Sequence, residues 1–380
     1  MRILFDARAV QDRCDGLGNH VRHLLTSLLR LDTENDYLIL LGPAMERHLA
    51  QAKLLDRPKV RTVLTSIPFM GASQQLRVPW LVRRLPRSDV YHYPHFDMPL
   101  FAHPRSVVTI HDLNHVCFSG YFHSMRRIKQ SYSFMTTRLS LAAARHIIAV
   151  SNTTKSEVLK RFPWLSPHKV TAIHFGLTER FQTPADAEQV KRFREKFHLA
   201  HDRFLLYVGT DRPHKNVDRL LSAYERLRRQ TILTHKLLLI GSSQQDARLR
   251  EILAQRRLNG SVVHLGYVPE EDLPAAYQVS DALVFCSLSE GFGLPLLEAM
   301  GTGVPVITSN IGATAEVVGD SAVLVDPFSV EAIAEGMVKV LSSETLRRQL
   351  VARGAERVQR FRLEETARNT LAVYRMAAGH

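Results

Sequence analysis

Short apolar runs rich in Val, Ile and Leu alternate with amphipathic stretches along the whole of this 380-residue chain. A strand buried on both faces reads as a continuous apolar run and its crossover helix as an amphipathic stretch. The alternation therefore predicts parallel sheets covered by helices on both faces. Strands are expected at 2–5, 37–41, 60–63, 90–92, 107–110 and 147–150 in the first half, and at 204–208, 237–240, 262–265, 283–285, 304–308 and 323–325 in the second. Helices are expected over 19–31, 217–230 and 247–257, and one or two polar helices over 345–378. Single cores stop growing at roughly 250–300 residues, so the chain is read as two doubly wound, Rossmann-like α/β domains. The sheet pattern lapses between Phe175 and Gln189, where Gly176 and Pro184 fall among polar residues. The predicted division is 1–178, 179–357 and a C-terminal helix over 358–380 that packs back toward the first domain.

A hydrophobic content of 45% with 23% charged residues excludes disordered, collagenous and disulfide-scaffold classes. Cys14, Cys117 and Cys286 lie far apart without metal-ligand spacing, which suits a reducing cytosol. The opening Met1–Asp6 carries acid at its sixth position, so no secretory signal is expected, and no apolar run is long enough to span a membrane. The charge is unevenly placed: residues 1–180 hold 25 Lys and Arg against 13 Asp and Glu, and residues 181–380 hold 25 against 24. A basic half beside a neutral one points to an anionic counterpart, namely nucleic acid, a phospholipid surface or a phosphorylated substrate, with plain solubility as the bland alternative.

Open parallel sheets bind ligands beyond the carboxyl ends of their strands. After the first strand, Asp15-Gly16-Leu17-Gly18-Asn19 places two glycines before a helix starting near Asn19. Free N–H groups there suit an anion, but Val21 stands where a dinucleotide fingerprint needs a third glycine, and a plain tight turn reads equally well. In the second half, residues 207–216 lead from a strand to a helix through Arg212, His214 and Lys215. Exposed cations at a helix start oppose the macrodipole unless a bound diphosphate offsets them; a solvated basic loop is the alternative. The most informative stretch is Ser289-Glu290-Gly291-Phe292-Gly293-Leu294-Pro295-Leu296-Leu297-Glu298. Pro295 suits the first turn of a helix, and the glycines free the backbone to wrap a ligand. A glycosidase pair flanks one bond at about 5–9.5 Å. Along a continuous helix Glu290 and Glu298 would stand ~12 Å apart, which suits gripping two ends of one long ligand.

With these residues the chain resembles the retaining glycosyltransferases of family 4, of two-domain GT-B architecture with an interdomain cleft. The Glu290–Glu298 segment matches the family's pair of glutamates separated by seven residues. Val208-Gly209-Thr210 through Lys215-Asn216, Gly16-Leu17-Gly18, Thr109-Ile110-His111-Asp112, Val150-Ser151, Val318-Gly319-Asp320 and Leu324-Val325-Asp326-Pro327 match in the same order over essentially the whole chain. The resemblance implies transfer of a sugar from a nucleotide donor with retention of configuration and no metal or cofactor. It implies that Glu290 binds the donor sugar's hydroxyls and Glu298 the ribose, and that the amides of Gly291, Phe292, Gly293 and Leu294 hold sugar and phosphate. Lys215 would hold the diphosphate, His111 would stand close to the donor sugar, and Gly16 and Gly18 would let their loop close over the phosphates. Many relatives carry an arginine after the glycine of Val208-Gly209 or before the lysine; here Thr210 and His214 occupy those positions, and Arg212 is the candidate substitute.

The physics agrees with this reading, since the charge of glycosyl transfer develops on the departing diphosphate and cations with helix-terminal amides stabilise it. A covalent intermediate needs a carboxylate on the acceptor side of the cleft, where none is well placed and Asp112 is the only near candidate, so front-face attack is favoured, as the resemblance also implies. A buried structural histidine is the alternative for His111. The run at 108–113 together with 318–322 looks most like bacterial mannosyltransferases of polysaccharide and O-antigen assembly, which use GDP-mannose; UDP-sugars are the alternative. In the basic half, Arg77, Trp80, Leu81, Arg83, Arg84, Leu85 and Arg87, and a second cluster from Tyr121 to Lys129, mix cations with apolar side chains. Such clusters suit an anionic membrane surface, which predicts a cytoplasmic protein peripheral on the inner leaflet that takes a glycan or lipid-linked acceptor. A soluble anionic acceptor is the rival occupant. An epimerase or phosphorylase of the same architecture is a rival activity. A nucleic-acid binder is a third class, disfavoured because neither zinc-finger spacing nor a stacking platform is visible.

Overall fold

The computed structural model describes the chain except residues 13–15, 118–125, 200, 231–233, 242–246, 257, 259 and 380. Two compact units emerge, Met1–Gly176 with Phe361–His380, and Leu177–Arg360. The first unit is built on β1 Arg2–Asp6, β2 Asp36–Leu41, β3 Val60–Leu64, β4 Val90–Tyr93, β5 Ser106–Ile110, β6 His146–Ala149 and β7 Val170–Ala172. Its sheet is parallel, in the order β3-β2-β1-β4-β5-β6-β7. The second unit holds β8 Phe204–Val208, β9 Lys236–Ile240, β10 Val262–Gly266, β11 Ser280–Phe285, β12 Val306–Ser309 and β13 Val323–Val325. These run parallel in the order β10-β9-β8-β11-β12-β13. Both sheets thus reverse direction of growth after their third position, between β1 and β4 and between β8 and β11.

The alternating pattern is realised as two covered faces. Successive strand side chains point to opposite sides, so Ile3 and Phe5 enter one core and Leu4 the other, all fully buried. The structure extends or trims several expected elements for local reasons. β12 begins at Val306 because Pro305 has no N–H, although its carbonyl accepts from Leu283. β11 starts earlier than its apolar run, at Ser280, since Asp281 finds a fork from Arg203 at 2.8 and 3.1 Å. The three-residue edge strand β7 follows Pro167-His168-Lys169 and has too short an apolar run to be seen in sequence. The helix expected from Asn19 runs Gly16–Leu31, so Gly16 and Gly18 stand in its first turn and not in the loop before it. First-turn N–H groups have no partner within the helix, and glycine costs little there.

The charge asymmetry follows the observed units: 27 Lys and Arg against 14 Asp and Glu in the first, 23 of each in the second. Among the described residues no helix is long and apolar enough to cross a membrane.

The chain re-enters the first unit at its end. The Leu363–Ala378 helix places Leu371, Tyr374 and Ala377 in the same core as the Gly16–Leu31 helix. Close packing allows only glycine where the two passes cross, because a Cβ on Gly176 would lie 2.1 Å from the Leu363 nitrogen. Thr366 Oγ1 donates to the His174 carbonyl at 2.9 Å, and the buried Tyr374 hydroxyl bonds His92 Nδ1 at 2.6 Å. Burial, and then the neighbouring His111, push the His92 ring down to about 3, so it is neutral. Tyr374→Phe leaves that buried ring nitrogen without its partner and should cost about 1–3 kcal/mol. Urea denaturation checks this, and a wild-type midpoint would show that the bond contributes nothing.

Candidate active site

The reversal between β8 and β11 opens a crevice beyond their carboxyl ends, and the loops that follow these two strands carry the chemistry. After β8, Gly209 donates its N–H to the Ile240 carbonyl (2.8 Å) and the Tyr207 hydroxyl donates to the Thr210 carbonyl (2.7 Å). The chain then makes a 3-10 turn over Pro213–Lys215 and enters the Val217–Gln230 helix through Asn216. His214 is buried, contrary to the expectation of three exposed cations. Its carbonyl accepts the Leu288 N–H at 2.7 Å, which draws the residue inward as the loop closes on its neighbour. Arg212 is exposed. Lys215 Nζ donates to both oxygens of Glu290, at 2.7 and 2.9 Å, and lies 5.3 Å from the centre of the Phe285 ring.

After β11, Gly291 and Phe292 are buried and Gly293 caps the Leu294–Gly301 helix with φ at 104°. A Cβ at Gly293 would strain this left-handed backbone and come within 2.9 Å of Leu296 Cδ1. Pro295 falls in the first turn, where its missing N–H is no loss. Glu298 points from the same helix to the Tyr277 hydroxyl, which donates to its Oε2 at 2.6 Å. Burial is the main cause that pushes the Glu298 carboxyl up to about 7; the Tyr277 bond opposes this and Glu270 adds to it.

In the first unit His111 follows β5. Its Nε2 stands 3.0 Å from the Pro94 carbonyl, an acceptor only, which puts a ring proton on Nε2. The His20 ring meets His111 edge to face at 5.0 Å and stacks on Phe175 at 3.8 Å. Burial, then His111, His92 and His23, hold His20 well below the ordinary histidine range. Exposed Gly16 stands one turn before His20 on the same helix, and buried Gly18 two residues before it. Asp112 is half-buried, accepts the Asn114 N–H at 2.9 Å and lies 3.8 Å from His115 Nδ1.

Of the expected site residues, Gly209, Arg212, Lys215, Glu290, Gly291, Phe292, Gly293, Leu294 and Glu298 fall on two adjoining loops and one helix start of the second unit. Gly16, Gly18 and His111 fall in the first. Tyr277, Asn216 and His20 were missed. Tyr277 lies in a short apolar helix, Leu273–Gln278, where its ring reads as core, and only the identity of its partner gives it a role. Among the described residues no group of three or more His, Cys, Asp or Glu side chains is placed to hold a metal ion.

The first basic cluster spans the end of the Ala72–Val82 helix and the turn after it. Leu76 and Trp80 are 68% and 57% exposed, and Arg77, Arg83, Arg84 and Arg87 are exposed with them. The Arg84 guanidinium stacks 3.3 Å from the centre of the Trp80 ring. Of the second cluster, Tyr121 to Met125 lie outside the described residues, while Ile128 and Lys129 are exposed.

Comparison with known proteins agrees with this geometry. The family described as Glycosyltransferase Family 4 matches residues 14–179, and Glycosyl transferases group 1 matches residues 189–357. The chain is 29% identical over 388 residues to the O-antigen chain mannosyltransferase B of Escherichia coli, covering 99% of this chain and 100% of that one. Sucrose-phosphate synthase from Thermosynechococcus elongatus superposes with a TM-score of 0.76 at 20% identity, over 99% of this chain and 98% of that one. The Anabaena HepE protein, solved in complex with UDP and glucose, gives 0.72 at 18% identity over 98% of each chain. These structures show the fold, which is GT-B.

The Glu298 carboxyl titrates near 4.5 when unfolded and near 7 when folded, so the folded chain holds the extra proton between those values and loses stability as pH rises across them. Glu298→Gln stays neutral throughout. It should exceed the wild type by about 1–3 kcal/mol at pH 8, the gain vanishing by about pH 4, below both values. Thermal melts at the two pH values check this; an equal gain at both would mean that the charge is not what costs stability.

Proposed function

The chain belongs to glycosyltransferase family 4, and from that premise we propose that it transfers mannose from GDP-mannose, with retention of configuration, to a glycan or lipid-linked acceptor in polysaccharide or O-antigen assembly. The observation that carries this reading is the Lys215–Glu290 pair, held at 2.7 Å where the second sheet reverses. The pair keeps a cation and a carboxylate ready in the free protein. When donor enters, Lys215 turns to the diphosphate and Glu290 to the hydroxyls of the sugar, so neither charge is left alone. The N–H groups from Gly291 to Leu294 face the phosphate, and exposed Arg212 supplies the further cation. Glu298, steadied by Tyr277, accepts from the ribose hydroxyls.

In the step itself, the bond from the sugar's anomeric carbon to the phosphate oxygen breaks and the bond to the acceptor oxygen forms on the same face. The acceptor proton passes to a donor phosphate oxygen. Lys215, Arg212 and the amides offset the charge left on the diphosphate, so the reading needs no metal. His111 is assigned to the donor sugar only by the family resemblance carried by Thr109-Ile110-His111-Asp112. Mannose rests on the curated relative's name and on the motifs at 108–113 and 318–322. A UDP-sugar donor is the second reading, favoured by the UDP complex of the HepE neighbour.

The acceptor side is read from charge. We place Leu76 and Trp80, with exposed Arg77 on their helix and exposed Arg83, Arg84 and Arg87 just after it, on an anionic inner-leaflet surface, each cation contributing about 1 kcal/mol. This makes the chain a cytoplasmic protein held peripherally where a lipid-linked glycan waits.

Two experiments test the reading. Among GDP-, UDP-, ADP- and TDP-sugars, GDP-mannose should raise the melting temperature most, and Lys215→Ala and Glu290→Ala should each cost about 10²–10³-fold in kcat with EDTA present and the fold retained. Wild-type turnover in either variant overturns the site. Second, sedimentation with vesicles containing anionic lipid should carry down the wild type and lose Trp80→Ala/Arg84→Ala, and indifference to lipid charge overturns the membrane placement.

A further inference from the structure

Asn216 adjoins the site without belonging to the donor-contacting set above. It is one of few non-glycine residues in the left-handed region, at φ 62°, and it is 5% exposed. Its carboxamide is fully used. Nδ2 donates to the Cys286 carbonyl at 2.9 Å and to the Pro327 carbonyl at 2.7 Å, while Oδ1 accepts from Arg219 at 3.0 Å. Both acceptors of Nδ2 are carbonyls, so the amide orientation is fixed by chemistry. Asn216 therefore joins three segments: the loop after β8 in which it sits, the start of the loop after β11, and the loop after β13. With the Leu288-to-His214 bond it fixes the spacing of the two loops that present Lys215 and Glu290.

We propose that Asn216 is a positioning residue for the donor diphosphate: its left-handed backbone and two carbonyl clamps set Lys215 at the height where the ammonium meets both Glu290 and the ligand. The proposal rests on the reading of Lys215 as the diphosphate's cation. Glycine keeps the left-handed turn but removes the clamps, and aspartate keeps the shape and the acceptor for Arg219 but puts one carboxylate oxygen, in place of Nδ2, against both carbonyl oxygens. The two substitutions separate backbone from clamp.

The test is binding of GDP against guanosine, with UDP against uridine in parallel, by ligand-observed NMR on wild type, Asn216→Gly, Asn216→Asp, Lys215→Ala and the Lys215→Ala/Asn216→Gly pair. Both Asn216 variants should lose about tenfold or more in diphosphate affinity and keep nucleoside affinity within about twofold, since the ribose is held by Glu298 on another helix. Asn216→Gly should add no further loss on Lys215→Ala. Equal losses for diphosphate and nucleoside would reduce Asn216 to a structural residue and overturn the proposal. Wild-type diphosphate affinity in Asn216→Gly, with a loss in Lys215→Ala, would also overturn it. No loss in Lys215→Ala would instead overturn the underlying reading of Lys215.

Discussion

Strand order is the constraint on which the rest depends. Because β8 lies at the centre of its sheet and β11 is added on the opposite side from β9, the loops after β8 and β11 leave in opposite directions and a crevice opens between them. The backbone of two segments 75 residues apart in sequence is thereby brought close enough for Lys215 to reach Glu290. Apolar strands buried on both faces hold that geometry, and the side chains at their ends need only short reach. The same order in the first sheet puts the loop after β1 beside that after β4, with His111 one strand farther out.

Within the second unit, two carboxylates on one short stretch are treated differently. Glu290 has an ammonium partner and Glu298 a neutral hydroxyl. An ion pair compensates desolvation that a single phenol only partly relieves, and Glu298 accordingly retains its proton to a higher pH. The site therefore holds one carboxylate gripped by a cation and one whose charge is easily withdrawn.

Both sheets could be read in the sequence because strands buried on two faces leave continuous apolar runs. Edge strand β7 escaped because three residues make no run. The glutamate segment was legible because glycine and proline mark a backbone that must turn sharply into a helix, as Gly293 does. The partners were not. Tyr277 and Asn216 act through what they touch, and neither Glu298 nor the Cys286 and Pro327 carbonyls adjoin them in sequence. His214 was misjudged for the same reason, since its charge type suggested solvent while a backbone bond to Leu288 drew it inside.

The return of the Leu363–Ala378 helix to the first core has a consequence for synthesis. On a ribosome, the strands of the first unit emerge first, but Leu371, Tyr374 and Ala377, which complete their packing, emerge only after the whole of the second unit. The second unit is one continuous segment and has all its parts in hand earlier. The nascent first unit must wait with the face that receives this helix uncovered, a period in which chaperones have the most to protect.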